Sequence, residues 1–213
     1  MTSAEPSCRL YAVVEAGGGA AERLAAALRA ADVASVLIVP HGTTRLEAND
    51  ARPLVELAQA ADAAALVAGD ASLARALRAD GVHLQSSTDS AGAYETARGI
   101  LGSRGIVGAD PGISRHDAMT LAEAGADYVA FGAPAHLNDR DKARARRDEL
   151  VAWWAEIFEV PCVVFDVETP EEAARLGRAG ADFIAVRLGP EPPAAASERL
   201  AAIGEALRVH EAA

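Results

Sequence analysis

Aromatic residues make up only 4% of this 213-residue chain, there are two cysteines, and acidic residues outnumber basic ones by 31 to 20. Each shortage excludes something. With so few aromatic rings, the core has to be built from Ala, Val, Leu and Ile, which suits many small helices packed on a sheet. Cys8, near the start, and Cys162, inside an apolar run, make neither a disulfide framework nor a metal-binding pattern. The net charge of −11 offers no basic stripe and would repel a phosphate backbone, so no nucleic-acid partner is expected. No apolar run approaches the length of a membrane span, and Met1 to Ser7 lack the basic start and apolar stretch of a secretory signal. A cytoplasmic protein with no membrane partner is therefore expected.

What is present is a repeated phrase. Ala124-Gly125-Ala126-Asp127-Tyr128-Val129-Ala130-Phe131-Gly132 returns as Ala79-Asp80-Gly81-Val82-His83-Leu84 and as Ala179-Gly180-Ala181-Asp182-Phe183-Ile184-Ala185-Val186. Each copy ends an Ala-rich, helix-like segment at a small residue, sets an Asp at the turn and enters an apolar run. This is the second half of a βαβ unit. Runs apolar at nearly every position, without alternation, are what parallel strands covered on both faces require.

Strands are predicted at Leu10 to Glu15, Ser35 to Pro40, Ala64 to Ala68, Gly81 to Leu84, Gly105 to Ala109, Asp127 to Gly132, Cys162 to Asp166 and Phe183 to Leu188. Helices are predicted at Ala20 to Ala31, Asp50 to Ala60, Ser72 to Ala79, Ser90 to Leu101, Arg115 to Ala124, Asp148 to Phe158, Pro170 to Ala179 and Ala194 to His210. Eight strands alternating with eight helices at a period of about 25 residues favour one α/β domain over residues 1–213, a closed (β/α)8 TIM barrel with residues 1–8 as a tail. An open, doubly wound sheet is the alternative.

In such a barrel the functional groups follow the strand ends. The candidates there are His41, His83, Gln85, Asp110, His136, Asp166 and Arg187, with Lys142 reaching in from the charged stretch Asp139 to Asp148, read as a solvated loop and helix start. Asp110 and Asp166 could form an acidic floor, or could pair with Arg187. Gly17-Gly18-Gly19 reads as a flexible turn. Of the adjacent Trp153 and Trp154, one is expected on the barrel and the other at a loop or a subunit contact, which keeps a homodimer among the expectations.

The motifs Leu10-Tyr11-Ala12-Val13, Ala79-Asp80-Gly81-Val82-His83-Leu84, Ile106-Val107-Gly108, Gly125-Ala126-Asp127-Tyr128 and Thr169-Pro170-Glu171-Glu172 lie in an order and spacing that resemble the thiamine phosphate synthase and TenI family of (β/α)8 proteins, from about residue 9 to 189. The resemblance implies a transferase that joins a hydroxymethylpyrimidine diphosphate to a thiazole phosphate, with magnesium as cofactor. Several of that family's positions differ here. Leu37, Val39 and His41 stand in place of Gln-x-Arg-x-Lys. Ala68-Gly69-Asp70 stands in place of Asn-Asp-Arg, and Asp89 comes one place late for a carboxylate. Asp110-Pro111 replaces a Ser/Thr pair, Asp166-Val167 replaces Gly-Gly, and Ala133 stands where TenI proteins carry a His. These departures favour a diverged binder of a small-molecule ligand, with synthase activity lost or altered. The alternatives are an active magnesium-dependent synthase and a structural or regulatory barrel.

Overall fold

The structure, a computed structural model, describes residues 8–42, 45–133 and 138–209. Eight strands and eight helices alternate without interruption. They are β1 (Arg9–Glu15), α1 (Ala20–Ala30), β2 (Val33–Val39), α2 (Ala48–Ala60), β3 (Ala64–Ala68), α3 (Ala71–Leu77), β4 (Gly81–Leu84), α4 (Ser90–Leu101), β5 (Ile106–Ala109), α5 (Arg115–Glu123), β6 (Tyr128–Phe131), α6 (Arg140–Ile157), β7 (Cys162–Val164), α7 (Pro170–Arg178), β8 (Phe183–Leu188) and α8 (Pro193–Val209). All neighbouring strands are parallel and the sheet closes through β1 against β8, with Arg9 opposite Phe183 and Val14 opposite Leu188. The fold is therefore the (β/α)8 barrel expected, and not an open sheet. Among the described residues no helix is long and apolar enough to cross a membrane.

The unbroken apolar runs are explained by side chains that alternate between two buried layers. In β1, Tyr11 and Val13 fill the barrel interior with Leu37, Leu66, Tyr128, Ala130, Val163 and Ala185. Leu10, Ala12 and Val14 point outward and pack with helix residues such as Leu24, Ala27, Leu200 and Ile203. Both faces exclude water, so neither can carry the polar half of an alternating pattern.

The Asp of the repeated phrase has a common task at the N-terminal end of the barrel. Asp80 Oδ2 accepts a hydrogen bond from the backbone N–H of Ala65 in β3 at 2.7 Å. Asp127 Oδ2 accepts from Val107 N in β5 at 2.7 Å, and Asp182 Oδ2 accepts from Cys162 N in β7 at 2.8 Å. Each carboxylate thus ties the strand it introduces to the start of the strand before it. Gly125 and Gly180, both at φ 96°, provide the left-handed turn that ends α5 and α7 and delivers the Asp; Arg78, at φ 58°, takes the same role after α3.

Two boundaries differ from expectation for physical reasons. α6 begins at Arg140, eight residues before the predicted Asp148, because Asp139 caps it by accepting from Lys142 N at 3.1 Å. β7 stops at Val164 because Asp166 adopts φ 60°, which no strand tolerates. Cys8, read as part of the tail, is buried in the core and packs against Gly177 of α7. Trp154 is the member of its pair that packs inward: its Nε1–H donates to Val160 O at 2.7 Å and its ring stacks on Phe158 at 4.0 Å. Trp153 is half-buried and lies under the Arg115 guanidinium at 4.7 Å.

Replacing Asp182 with Ala should lower stability by about 1.5 to 3 kcal/mol, since a charge-assisted bond is lost and the Cys162 N–H is left unpaired. Urea denaturation checks this. Asp182→Asn, which retains an acceptor, should lose less, and equal losses for both variants would remove the clamp.

Candidate functional site at the C-terminal mouth of the barrel

A cavity of about 720 Å³ opens at the C-terminal ends of the strands. It is walled by the apolar ends of β1 to β3, by Phe165 and by the loop Pro111 to Ser114, and it receives His83, Gln85, Asp110, Asp166 and Arg187. Five sequence-predicted residues therefore meet in one pocket of ordinary ligand size. His41 does not join them: it is exposed at the outer rim, with Nδ1 3.3 Å from Glu15 Oε2. Lys142 does not reach in either, because the early start of α6 turns it to solvent, where it pairs with Asp139 at 3.2 Å. His136 lies outside the described residues.

Asp110 follows β5, where its backbone N–H donates to Leu84 O at 2.9 Å and its Oδ1 accepts from Gly112 N at 2.6 Å. Burial pushes its carboxyl above the usual carboxylate range; the Gly112 bond opposes this rise and the nearby charge of Asp166 adds to it. Asp166 follows β7, exposed, with Oδ2 accepting from Ala133 N at 2.9 Å. Arg187 is exposed at the end of β8 and, among the described residues, makes no ion pair with either acid, contrary to the pairing considered from sequence.

The residue that holds Asp166 in place was not read from sequence as a site residue. Arg147 of α6 is completely buried. Its Nη1 donates to the carbonyls of Phe165 at 2.9 Å and Asp166 at 3.0 Å, while Nη2 donates to Glu172 at 2.6 Å and both Nε and Nη2 donate to Asp148 at 3.0 and 2.9 Å. This fork pins the chain where Asp166 takes the left-handed backbone that glycine adopts freely and Asp tolerates. Nothing marked Arg147 within a run of charges that mostly stays in solvent. Below the mouth, Tyr11 and Tyr128 of the barrel interior complete a set of polar groups with His83; their inward parity on β1 and β6 was the available signal.

His83 is buried, and its Nδ1 lies 2.9 Å from Tyr128 Oη. The imidazole lies parallel to the Tyr128 ring and is tilted over Phe165. Burial disfavours the imidazolium and lowers the pKa from 6.5 to about 4.

Magnesium, implied by the resemblance, can be tested against these side chains. Among the described residues, no three His, Cys, Asp or Glu groups converge to hold a metal ion. Asp70 caps α3 through Leu73 N and pairs with Arg45 at 2.7 Å, and Asp89 caps α4 through Gly92 N. The carboxylates nearest to the family's metal positions thus serve as helix caps, and the described residues do not fit a magnesium site of that kind.

Two measurements follow. Arg147→Met should cost about 3 kcal/mol in denaturant unfolding, because Asp148 and Glu172 lose the buried cation between them and two carbonyls lose their donor. For His83 the folded pKa lies below the unfolded one, so the unfolded chain takes up the proton first as pH falls. The contribution is complete above about pH 6.5 and is lost as pH drops towards about 4. Between pH 7 and pH 5 the protein should therefore lose about 2 kcal/mol that His83→Gln does not lose, measured as the difference in unfolding free energy at the two pH values.

Comparison with known proteins agrees with this architecture. A family model described as thiamine monophosphate synthase matches residues 10–189. The chain is 39% identical to a thiamine-phosphate synthase of Erythrobacter litoralis, over 87% of this chain and 89% of that one. It is 40% identical to one of Rhodospirillum centenum, over 89% and 94%. Among solved structures, thiamine phosphate pyrophosphorylase from Pyrococcus furiosus superposes with a TM-score of 0.75 at 20% identity, covering 96% of this chain and 98% of that one. A chain of Mycobacterium tuberculosis tryptophan synthase reaches 0.76 at 14% identity, over 95% and 93%, which reflects the shared barrel alone. With its repeated strand entries, its mouth cavity and a match that runs through nearly all of the barrel, the chain belongs to the thiamine monophosphate synthase family.

Proposed function

We propose that this chain is a transferase of the thiamine-phosphate-synthase type, joining a pyrimidine diphosphate to a thiazole phosphate at the C-terminal mouth. The supporting observation is the 39% and 40% identity to relatives bearing that name, over about nine-tenths of both chains. In this reading the cavity holds both substrates side by side and excludes bulk water from between them. As the bond to pyrophosphate breaks, negative charge grows on the leaving group and positive charge on the carbon left behind. Arg187, without an ion-pair partner among the described residues, would meet the former. Asp110 and Asp166 would stabilise the latter.

One observation favours a second reading, a diverged barrel that binds a small molecule without synthase chemistry. Asp166 retains the left-handed backbone suited to the family's glycine, yet sets a carboxylate at the mouth beside Asp110. Two acids there repel a phosphate and favour neutral or cationic ligands.

The purified protein, supplied with the two substrates and magnesium, should release thiamine phosphate, and its gene should complement a synthase-deficient strain. A folded protein that does neither refutes the first reading. The second reading then expects Asp166→Gly to bind inorganic phosphate about tenfold more tightly than the wild type by calorimetry, the equivalent of removing ~1.4 kcal/mol of repulsion. An unchanged affinity would refute it.

A further inference from the structure

The floor of the mouth carries a short chain of polar groups whose direction can be deduced. Tyr11 Oη and Tyr128 Oη are 2.9 Å apart, and Tyr128 Oη is 2.9 Å from His83 Nδ1. All three residues are buried, and among the described residues the Tyr11 hydroxyl has no partner besides Tyr128. Each hydroxyl has one hydrogen to give, and a neutral imidazole gives one and accepts one.

Only one polarity satisfies every buried group. If Tyr11 donates to Tyr128 and Tyr128 donates to Nδ1, both hydroxyl hydrogens are used, and the imidazole must carry its proton on Nε2. If Nδ1–H donates to Tyr128 instead, the single Tyr11–Tyr128 contact can use only one of the two hydroxyl hydrogens, and the other is stranded without an acceptor. A stranded buried donor shifts the balance by on the order of tenfold or more toward the first arrangement.

The ring itself is held firmly. Tyr128 lies where a side chain at position 108 would otherwise sit: a Cβ on Gly108 would come 1.9 Å from Tyr128 Cζ. Phe165 covers the imidazole with ring centroids 5.3 Å apart. His83 lines the cavity, and its Nε2 neither bonds to the described residues nor is sealed from the pocket.

We propose that Tyr128 is a positioning residue that holds His83 as its neutral Nε2–H tautomer, with Tyr11 donating to Tyr128 behind it, so that the floor of the mouth offers a ligand a hydrogen-bond donor and not a base. The matching ligand carries an acceptor, a carbonyl oxygen or an unprotonated ring nitrogen, at its inner end. Around it, the carboxylates of Asp110 and Asp166 complement N–H or O–H groups nearer the rim. The low pKa given to His83 by burial is consistent with this role. The inference goes beyond the synthase reading and applies to either reading of the pocket, because its test uses no substrate.

The experiment is nitrogen NMR of ¹⁵N-histidine-labelled protein at pH 7, with His83 assigned through His83→Gln. Wild type should show a bare Nδ1 and a protonated Nε2, with the other tautomer populated about tenfold less or lower. Tyr128→Phe removes the donor to Nδ1 and should bring both tautomers into comparable population. Tyr11→Phe leaves Tyr128 free to donate to Nδ1 and should keep the wild-type signature. A predominant Nδ1–H tautomer in wild type overturns the proposal even if no variant folds, and an unchanged tautomer in folded Tyr128→Phe overturns the part assigned to Tyr128.

Discussion

Closing a parallel sheet on itself imposes one demand on which the remaining structure depends: every strand must start at the right height beside its neighbour. Parallel neighbours cannot be joined by a hairpin, so that height has to be set where a helix ends and a strand begins. Here a carboxylate sets it at three entries, with Asp80, Asp127 and Asp182 each gripping a backbone N–H at the start of the previous strand. These entries precede β4, β6 and β8, three of the four even-numbered strands. With the entries in step, the strands also end in step, and the loops that follow them converge on one mouth.

Because aromatic rings are scarce, their placement matters. One group, Trp153, Trp154 and Phe158, works outside the barrel, where Trp154 and Phe131 anchor α6 on the strands. The other, Tyr11, Tyr128 and Phe165, closes the interior beneath the cavity and surrounds His83. Small residues make room for these rings, above all Gly108 against Tyr128. The same packing that fills the barrel thus builds the floor of the candidate site, while the rim is left to charged loop residues.

At the rim, α6 connects fold to site. Its early N-terminus moves Lys142 out of reach and brings Arg147 into the interior, where one guanidinium serves two carbonyls and two carboxylates. A buried arginine so placed gives the β7 loop a fixed shape, and with it the position of the Asp166 carboxylate. The mouth is acidic by construction, whichever ligand it takes.

Much of the fold was legible along the chain, because it depends on local periodicity. The apolar runs of the eight strands, the Thr169-Pro170 start of α7 and the Ala-Gly-Ala-Asp turns each carry their signal within a few residues. Five residues that line the cavity, His83, Gln85, Asp110, Asp166 and Arg187, could be named as candidates because a barrel sends every strand end to one face. What the linear order could not supply is which groups meet. His41 and Lys142 occupy equivalent loop positions yet are drawn away by nearby acids, Glu15 and Asp139. Arg147 lies in a stretch of charges mostly solvated, and only packing between α6 and the β7 loop decides that this one is buried. The Tyr11, Tyr128 and His83 contacts span 117 and 45 residues of chain. Sequence by itself therefore determined the architecture, since each strand and helix follows from its own residues; tertiary structure alone decided the chemistry of the mouth, since that depends on distances between residues remote in the chain.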